Sequence, residues 1–281
     1  MPWHAQLQLH YRREAQRTVL HHQHNGPLRI LKSLYPEGDA ICHNVIIHPP
    51  GGLVGGDVLD VSLHVDAGAH ALVSTPGATR FYASDQATAT QQVNIELGAG
   101  SRLEWLPLES IAYPGCLAHN SVQATLAEGA EWLGWDVTAL GLPTAGQAFE
   151  QQGRFSQRLS IPGLWLEQAH IDAQDTRLLN SPLGLDGQRC LGTMWLACGT
   201  ALPRERREHL LDVVRSTLDR ALGPAPTNLQ AGATCPNTNM LVLRAVAPLV
   251  EPLMALFQQV WAELRPAAWG LSNTPPRIWR V

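Results

Sequence analysis

The sequence predicts a mainly β fold of stacked, solenoid-like sheets with two helices near the C-terminus. Three observations lead there: period-two alternation through the middle of the chain, a thrice-repeated phrase ending on glycine, and helical periodicity confined to the last third. Leu59, Val61, Leu63 and Val65 fall on one face of an extended segment, and Asp60, Ser62, His64 and Asp66 on the other. Successive side chains of a strand point to opposite faces, so this is a strand with one side buried.

The repeated phrase is apolar-x-apolar-x-apolar-x-x-Gly. It runs from Val61 to Gly68, from Val93 to Gly100 and from Val122 to Gly129. A spacing of about thirty residues is that of stacked supersecondary units. Each glycine suits a tight turn that needs positive φ. Two arrangements satisfy the pattern: coils stacked as an irregular β-solenoid, or an antiparallel meander with similar hairpins.

Beyond residue 150, segments 159–161, 164–171 and 188–201 read as strands, with a turn-rich stretch at 180–188. Pro203 opens a helix, since proline is tolerated in the first turn. Leu210, Leu211, Val214, Leu218 and Leu222 give that helix its apolar stripe, and Gly223 ends it. A strand at 240–246 and a second helix at 249–264 follow. Leu253, Leu256, Phe257, Val260 and Trp261 should face inward on the second helix. No linker divides the chain, so residues 1–281 are expected to form one domain, a β body over about 1–200 and a helical cap over about 203–265.

Composition excludes several functions. Apolar residues make up 45% and charged residues 16%, enough for a large core. The net charge is −4 with no basic block, so no nucleic-acid footprint is present. Lys32 is the only lysine and follows no glycine-rich loop, which removes phosphate-loop and Schiff-base chemistry. The five cysteines form no C-x-x-C pair, and the His- and Arg-rich opening contains no apolar h-region. The apolar runs are too short to cross a bilayer. A cytoplasmic protein with reduced thiols is expected, without membrane or nucleic-acid partners.

The densest motif is His48-Pro49-Pro50-Gly51-Gly52-Leu53-Val54-Gly55-Gly56-Asp57. It is no phosphate loop, because no Lys-Ser/Thr follows and the next segment is a strand rather than a helix. Together with Ser74-Thr75-Pro76-Gly77-Ala78-Thr79-Arg80-Phe81-Tyr82, the stretch from Leu106 to Tyr113, Trp135-Asp136 and Pro276-Arg277-Ile278-Trp279, this loop resembles the UreD/UreH family of urease accessory proteins. The pieces span nearly the whole chain in the expected order.

The resemblance implies a β scaffold with a short helical region that is not an enzyme. It implies binding to urease apoprotein and to the accessory protein UreF, which recruits the GTPase UreG. It implies passage of Ni²⁺ through the body towards the urease site, with no tightly bound cofactor and only transient Ni²⁺. It leaves room for a homodimer within the complex.

A conduit must strip part of the water shell of Ni²⁺ and then release the ion. Carboxylates, hydroxyls, carbonyls and an occasional imidazole suit this, whereas several thiolates would trap it. Asp57, Thr75, Thr79, Glu109, Asp136 and Glu167 supply such groups along the signature segments. Thr75 and Asp136 each lie seven residues after their turn glycine, with Pro107 in the same place after Gly100, so stacked coils would bring all three to one level.

Each candidate has a plainer reading. Asp57 closes a turn. Asp136 and Glu167 form structural salt bridges with some of the nineteen arginines. His21, His22 and His24 offer imidazoles, but an extended segment does not converge them, so a solvated loop is expected there. The same caution covers His48, His119 and the Cys42-His43 pair. The tail around Trp269 and Trp279 is expected to pack on the β body. The competing function is a β-solenoid carbohydrate-active enzyme using paired carboxylates among Asp57, Glu109 and Asp136, with aromatic residues beside them.

Overall fold

The computed structural model describes residues 2–223 and 228–280. The chain opens with β1 (His4–Glu14), β2 (Arg17–Asn25), β3 (Arg29–Ile30), β4 (Ile41–Ile47), β5 (Val58–Val65), β6 (His70–Ser74), β7 (Thr79–Phe81), β8 (Ala89–Leu97) and β9 (Arg102–Leu106). It continues through β10 (Ser110–Ala112), β11 (Leu117–Leu126), β12 (Glu131–Leu142), β13 (Gln147–Ala148), β14 (Arg154–Ile161) and β15 (Trp165–Asp172). A short α1 (Thr176–Asn180), β16 (Cys190–Cys198), α2 (Arg204–Leu222), β17 (Gln230–Asn237), β18 (Met240–Ala247) and α3 (Val250–Trp269) complete it.

The repeats stack as coils. Strands β5, β8 and β11 pair in parallel with β1 and β14 in a seven-stranded sheet, while β4, β6, β9 and β12 pair in parallel in an eleven-stranded one. A meander would pair successive strands antiparallel, so the solenoid-like reading stands. Short β7 and β10 belong to the same sheet off its main path: β10 pairs with β7 and with the second half of β12, whose first half pairs with β9.

The turn glycines sit where the phrase places them. Gly68, Gly100 and Gly129 have φ of 68°, 61° and 69°. Gly68 N–H donates to the Ala99 carbonyl and Gly100 N–H to the Glu128 carbonyl, each at 3.0 Å, so each turn seats on the next. Thr200 ends the stack, its hydroxyl accepting from Gly129 N–H at 2.9 Å.

One core lies between the sheets. Its central rung runs Leu7–Val61–Val93–Val122–Leu159 across five strands. A second core lies between the eleven-stranded sheet and the helices α2 and α3. Of the expected inward residues of the cap, Leu210, Val214, Leu218, Leu253, Leu256, Phe257, Val260 and Trp261 are buried, while Leu211 and Leu222 are only half-buried at the edge of the stripe. Helix α3 runs five residues past the expected end at 264, stopping at Gly270, whose φ is 67°.

The N-terminal expectation needs correction. The run His21 to His24 is no solvated loop; it lies in β2, the edge strand of a hairpin with β1. Strand β1 buries Ala5, Leu7, Leu9 and Tyr11 on its inner face, and this anchors the polar β2 beside it. Among the described residues, no helix is long and apolar enough to cross a membrane.

Candidate functional site

The rung next to the apolar one changes character halfway across the sheet. It reads Ala5–Leu59–Gln91–Asn120–Gln157, two apolar residues and then three amides. On the facing sheet, Asp136, Thr193 and Arg244 are register partners on β12, β16 and β18. Two polar rows therefore meet, buried at Asn120, Asp136 and Thr193 and reaching the surface at Arg244.

Asp136 joins them. Asn120 Nδ2 donates to its Oδ2 at 3.0 Å, and Gln157 Nε2 donates to its Oδ1 at 2.6 Å. Thr138 adds a long contact at 3.5 Å. Burial raises the Asp136 carboxyl and the Glu167 charge raises it further, while the Asn120, Thr138 and Gln157 hydrogen bonds oppose them; the balance lies at about 6. Further along, Asn120 Oδ1 accepts from Gln91 Nε2 at 3.2 Å, and Thr79 lies 3.4 Å from Gln91 Oε1. On the other side Glu167 accepts from the Thr193 hydroxyl at 2.7 Å and pairs with Arg244 at 2.6 Å.

A cavity of about 310 Å³ opens onto this row. Its polar lining includes His48, Thr75, Thr79, Gln91, Asn120 and Asp136, and the signature loop walls it with Gly51 and Gly52. Among the described residues no cysteine lines it. The buried thiols Cys116, Cys190 and Cys198 lie elsewhere, and burial pushes each up to about 12, so they remain protonated.

The predicted residues divide. Thr75, Pro107 and Asp136 follow the strand pairs Ser74–Leu106 and Trp105–Gly134, and all three border the cavity. Thr75 Oγ1 accepts from Leu108 N–H at 2.9 Å. Thr79 reaches the row through Gln91, and Glu167 extends it beyond Asp136. Asp57 is a turn residue: its carboxylate accepts from Trp3 N–H at 2.8 Å and Val54 N–H at 2.9 Å.

Glu109 does not border the cavity; its neighbours Leu108 and Ser110 do. Its carboxyl is raised by burial and by Glu251, at the start of α3, against the pull of Arg80. His21 meets Glu14 at 3.3 Å, while His22 and His24 stack with ring centroids 6.4 Å apart. Alternation sends these two to the face opposite His21, so the run does not converge.

Four glycines shape the signature loop. Gly51 and Gly56 hold φ of 78° and 88°. A Cβ on Gly52 would lie 2.3 Å from Tyr82 Cε2. Gly55 is shut in by Ser84 and the Ala87 carbonyl.

A carbohydrate cleft is not assembled. Asp57 is committed to a turn, Glu109 lies off the cavity, and among the described residues Asp136 is the only carboxylate residue lining it. Trp135 is fully buried on the far side of its strand, within the core under α3, with its ring 5.4 Å from Trp279. Trp279 also meets Trp261 at 5.1 Å, so the C-terminal tail packs on its own body.

Sequence reasoning missed the amides Gln91, Asn120 and Gln157. It also missed an ionic cluster that fastens α3. Arg265, fully buried, pairs with Glu104 at 3.1 Å and Glu37 at 2.7 Å. His43 meets Glu37 at 2.9 Å, and His70 meets Glu104 at 3.0 Å. Burial alone would raise Glu37, but hydrogen bonds from His43 and Arg265 pull it down to about 2.

Fold and site together define a class: a solenoid-like β framework with a cavity bordered by hydroxyl, amide and carboxylate side chains. The family model described as UreD urease accessory protein matches residues 4–280. A urease accessory protein UreD of Polaromonas sp. (strain JS666 / ATCC BAA-500) is 53% identical over 281 residues, covering 100% of both chains. The namesake of Albidiferax ferrireducens is 55% identical over 282 residues, and that of Methylibium petroleiphilum 45% over 300, each again covering 100% of both chains. The chain belongs to the UreD family of urease accessory proteins, and its role lies in urease maturation.

Proposed function

We propose that this chain is the framework through which nickel reaches urease apoprotein. It binds the apoprotein and UreF, with UreG reached through UreF, and Ni²⁺ passes between its sheets by way of Thr75, Thr79, Asp136 and Glu167. The observation that carries the reading is the polar row across the core. Burying Asn120 and Asp136, with the half-buried Gln91 and Gln157 beside them, gains little stability, since apolar residues of similar volume commonly serve as well or better. A cation in transit needs such a row.

The ligand chemistry supports it. Oxygen donors hold Ni²⁺ less tightly than thiolates, and among the described residues no thiol borders the cavity. With its carboxyl at about 6, Asp136 is mostly ionised at neutral pH, and an arriving dication displaces what proton remains. The free thiols fit a cytoplasmic chain. Asp57 and Glu109 take other parts, in the loop and on the flank.

Cells lacking this chain are expected to make urease subunits at normal levels but with little nickel. The tagged chain is expected to recover urease subunits and UreF from those cells. Urease of full nickel content in the deletion strain would reject the proposal.

A further inference from the structure

We propose that His10, His64 and Asp66 bind a divalent transition-metal cation on the outer face of the seven-stranded sheet. This site is distinct from the interior passage. Parallel pairing creates it: His10, His64 and Glu96 are register partners on β1, β5 and β8, all on the outward face. Asp66 follows β5, and its backbone N–H donates to the Tyr11 carbonyl at 2.9 Å, which holds it beside the histidines.

The ligand atoms converge. His10 Nε2 lies 2.8 Å and His64 Nε2 3.2 Å from the same oxygen, Asp66 Oδ1. The three ligand atoms lie within 4.8 Å of one another. In a tetrahedral site with bonds of about 2.0–2.2 Å, ligand atoms stand roughly 3.3–3.6 Å apart. Small rotations of partly exposed side chains close that gap. The two rings meet edge to face, with centroids 4.9 Å apart.

At His64 the outer partner favours an ion at Nε2. His64 Nδ1 sits 3.1 Å from Glu96 Oε2, so Nδ1–H donates to the carboxylate and the Nε2 lone pair is left for the cation. At His10 the exposed Arg12 donates to Nδ1 at 3.3 Å and must swing aside when that nitrogen takes the proton. A surface depression bordered by Gln8, Ser62 and Asn94 gives solvent ligands access to the open position. Two imidazoles and one carboxylate select Zn²⁺, Ni²⁺ or Cu²⁺ over Ca²⁺ and Mg²⁺.

The test is calorimetric titration of the metal-free, full-length chain with ZnCl₂ and, separately, NiCl₂. The double variant His10→Ala/His64→Ala is expected to lose one equivalent of bound ion while keeping wild-type thermal stability. Glu96→Gln should weaken that equivalent about 10-fold, the effect of losing an outer partner. Asp136→Asn should leave it intact, which separates this site from the interior passage. Unchanged stoichiometry and affinity in the double variant, or CaCl₂ binding as tightly as ZnCl₂, would overturn the assignment.

Discussion

A carboxylate inside an apolar core either takes up a proton or finds compensating donors, and Asp136 stands between these outcomes. Burial and Glu167 push its carboxyl up, whereas Asn120, Thr138 and Gln157 hold the ionised form, leaving it at about 6 against an ordinary 3.8. The linkage follows in sign. Between the unfolded and folded values the native state binds more proton than the unfolded chain, so this group's contribution weakens as pH rises through that window. From pH 4 to above 6 the loss is on the order of 3 kcal/mol. Denaturant unfolding of Asp136→Asn across this range should lack that component. Parallel pH profiles of wild type and variant would show that the carboxyl titrates normally. Glu37 has the opposite sign: held at about 2, it supports the fold above the ordinary carboxylate range and loses that support as pH falls towards 2.

Among the elements, α3 and the glycine loop carry the sharpest expectations. Helix α3 is fastened to the sheet by Arg265, which serves both Glu104 and Glu37. Arg265→Ala leaves two carboxylates without their cation and should cost about 3–5 kcal/mol in urea unfolding. A loss below about 1 kcal/mol would mean that His43 and His70 carry the cluster. In the loop, Gly52→Ala drives a methyl group into the Tyr82 ring and should cost about 1–3 kcal/mol. Adding Tyr82→Ala should recover part of it, and the double variant shows whether that contact is the cause. The central strands were legible because Leu59 to Val65 and its two echoes alternate strictly. Strand β1 alternates as well, but the Gln, His and Arg of its outer face hid Ala5, Leu7, Leu9 and Tyr11. The amides were hidden differently, since Gln and Asn in a strand are ordinarily assigned to its wet face. Yet Gln91 and Asn120 each precede their turn glycine by nine residues, the phase of the buried positions, so the signal was present. The Arg265 cluster had none, because Glu37, Glu104 and Arg265 meet only through tertiary packing.

At the scale of the whole molecule, one architecture explains both the stability and the task. Parallel coils stack on in-register glycine turns, an apolar rung seals the sandwich, and the adjoining rung is polar from Gln91 to Gln157. The helices cover the opposite face of the second sheet and leave the cavity mouth to the signature loop. On this account the framework holds its partners through its surface and passes the ion through its interior, so the two duties are separable. The most direct measurement is nickel per urease active site, by elemental analysis, after activation with Asp136→Asn or Glu167→Ala chains, scored beside the yield of the assembled complex. Complex yield should be unchanged, with nickel at least about 10-fold lower, a loss of roughly 1.4 kcal/mol or more in effective delivery. Full nickel content in both variants, or yield and nickel falling in step, would contradict it.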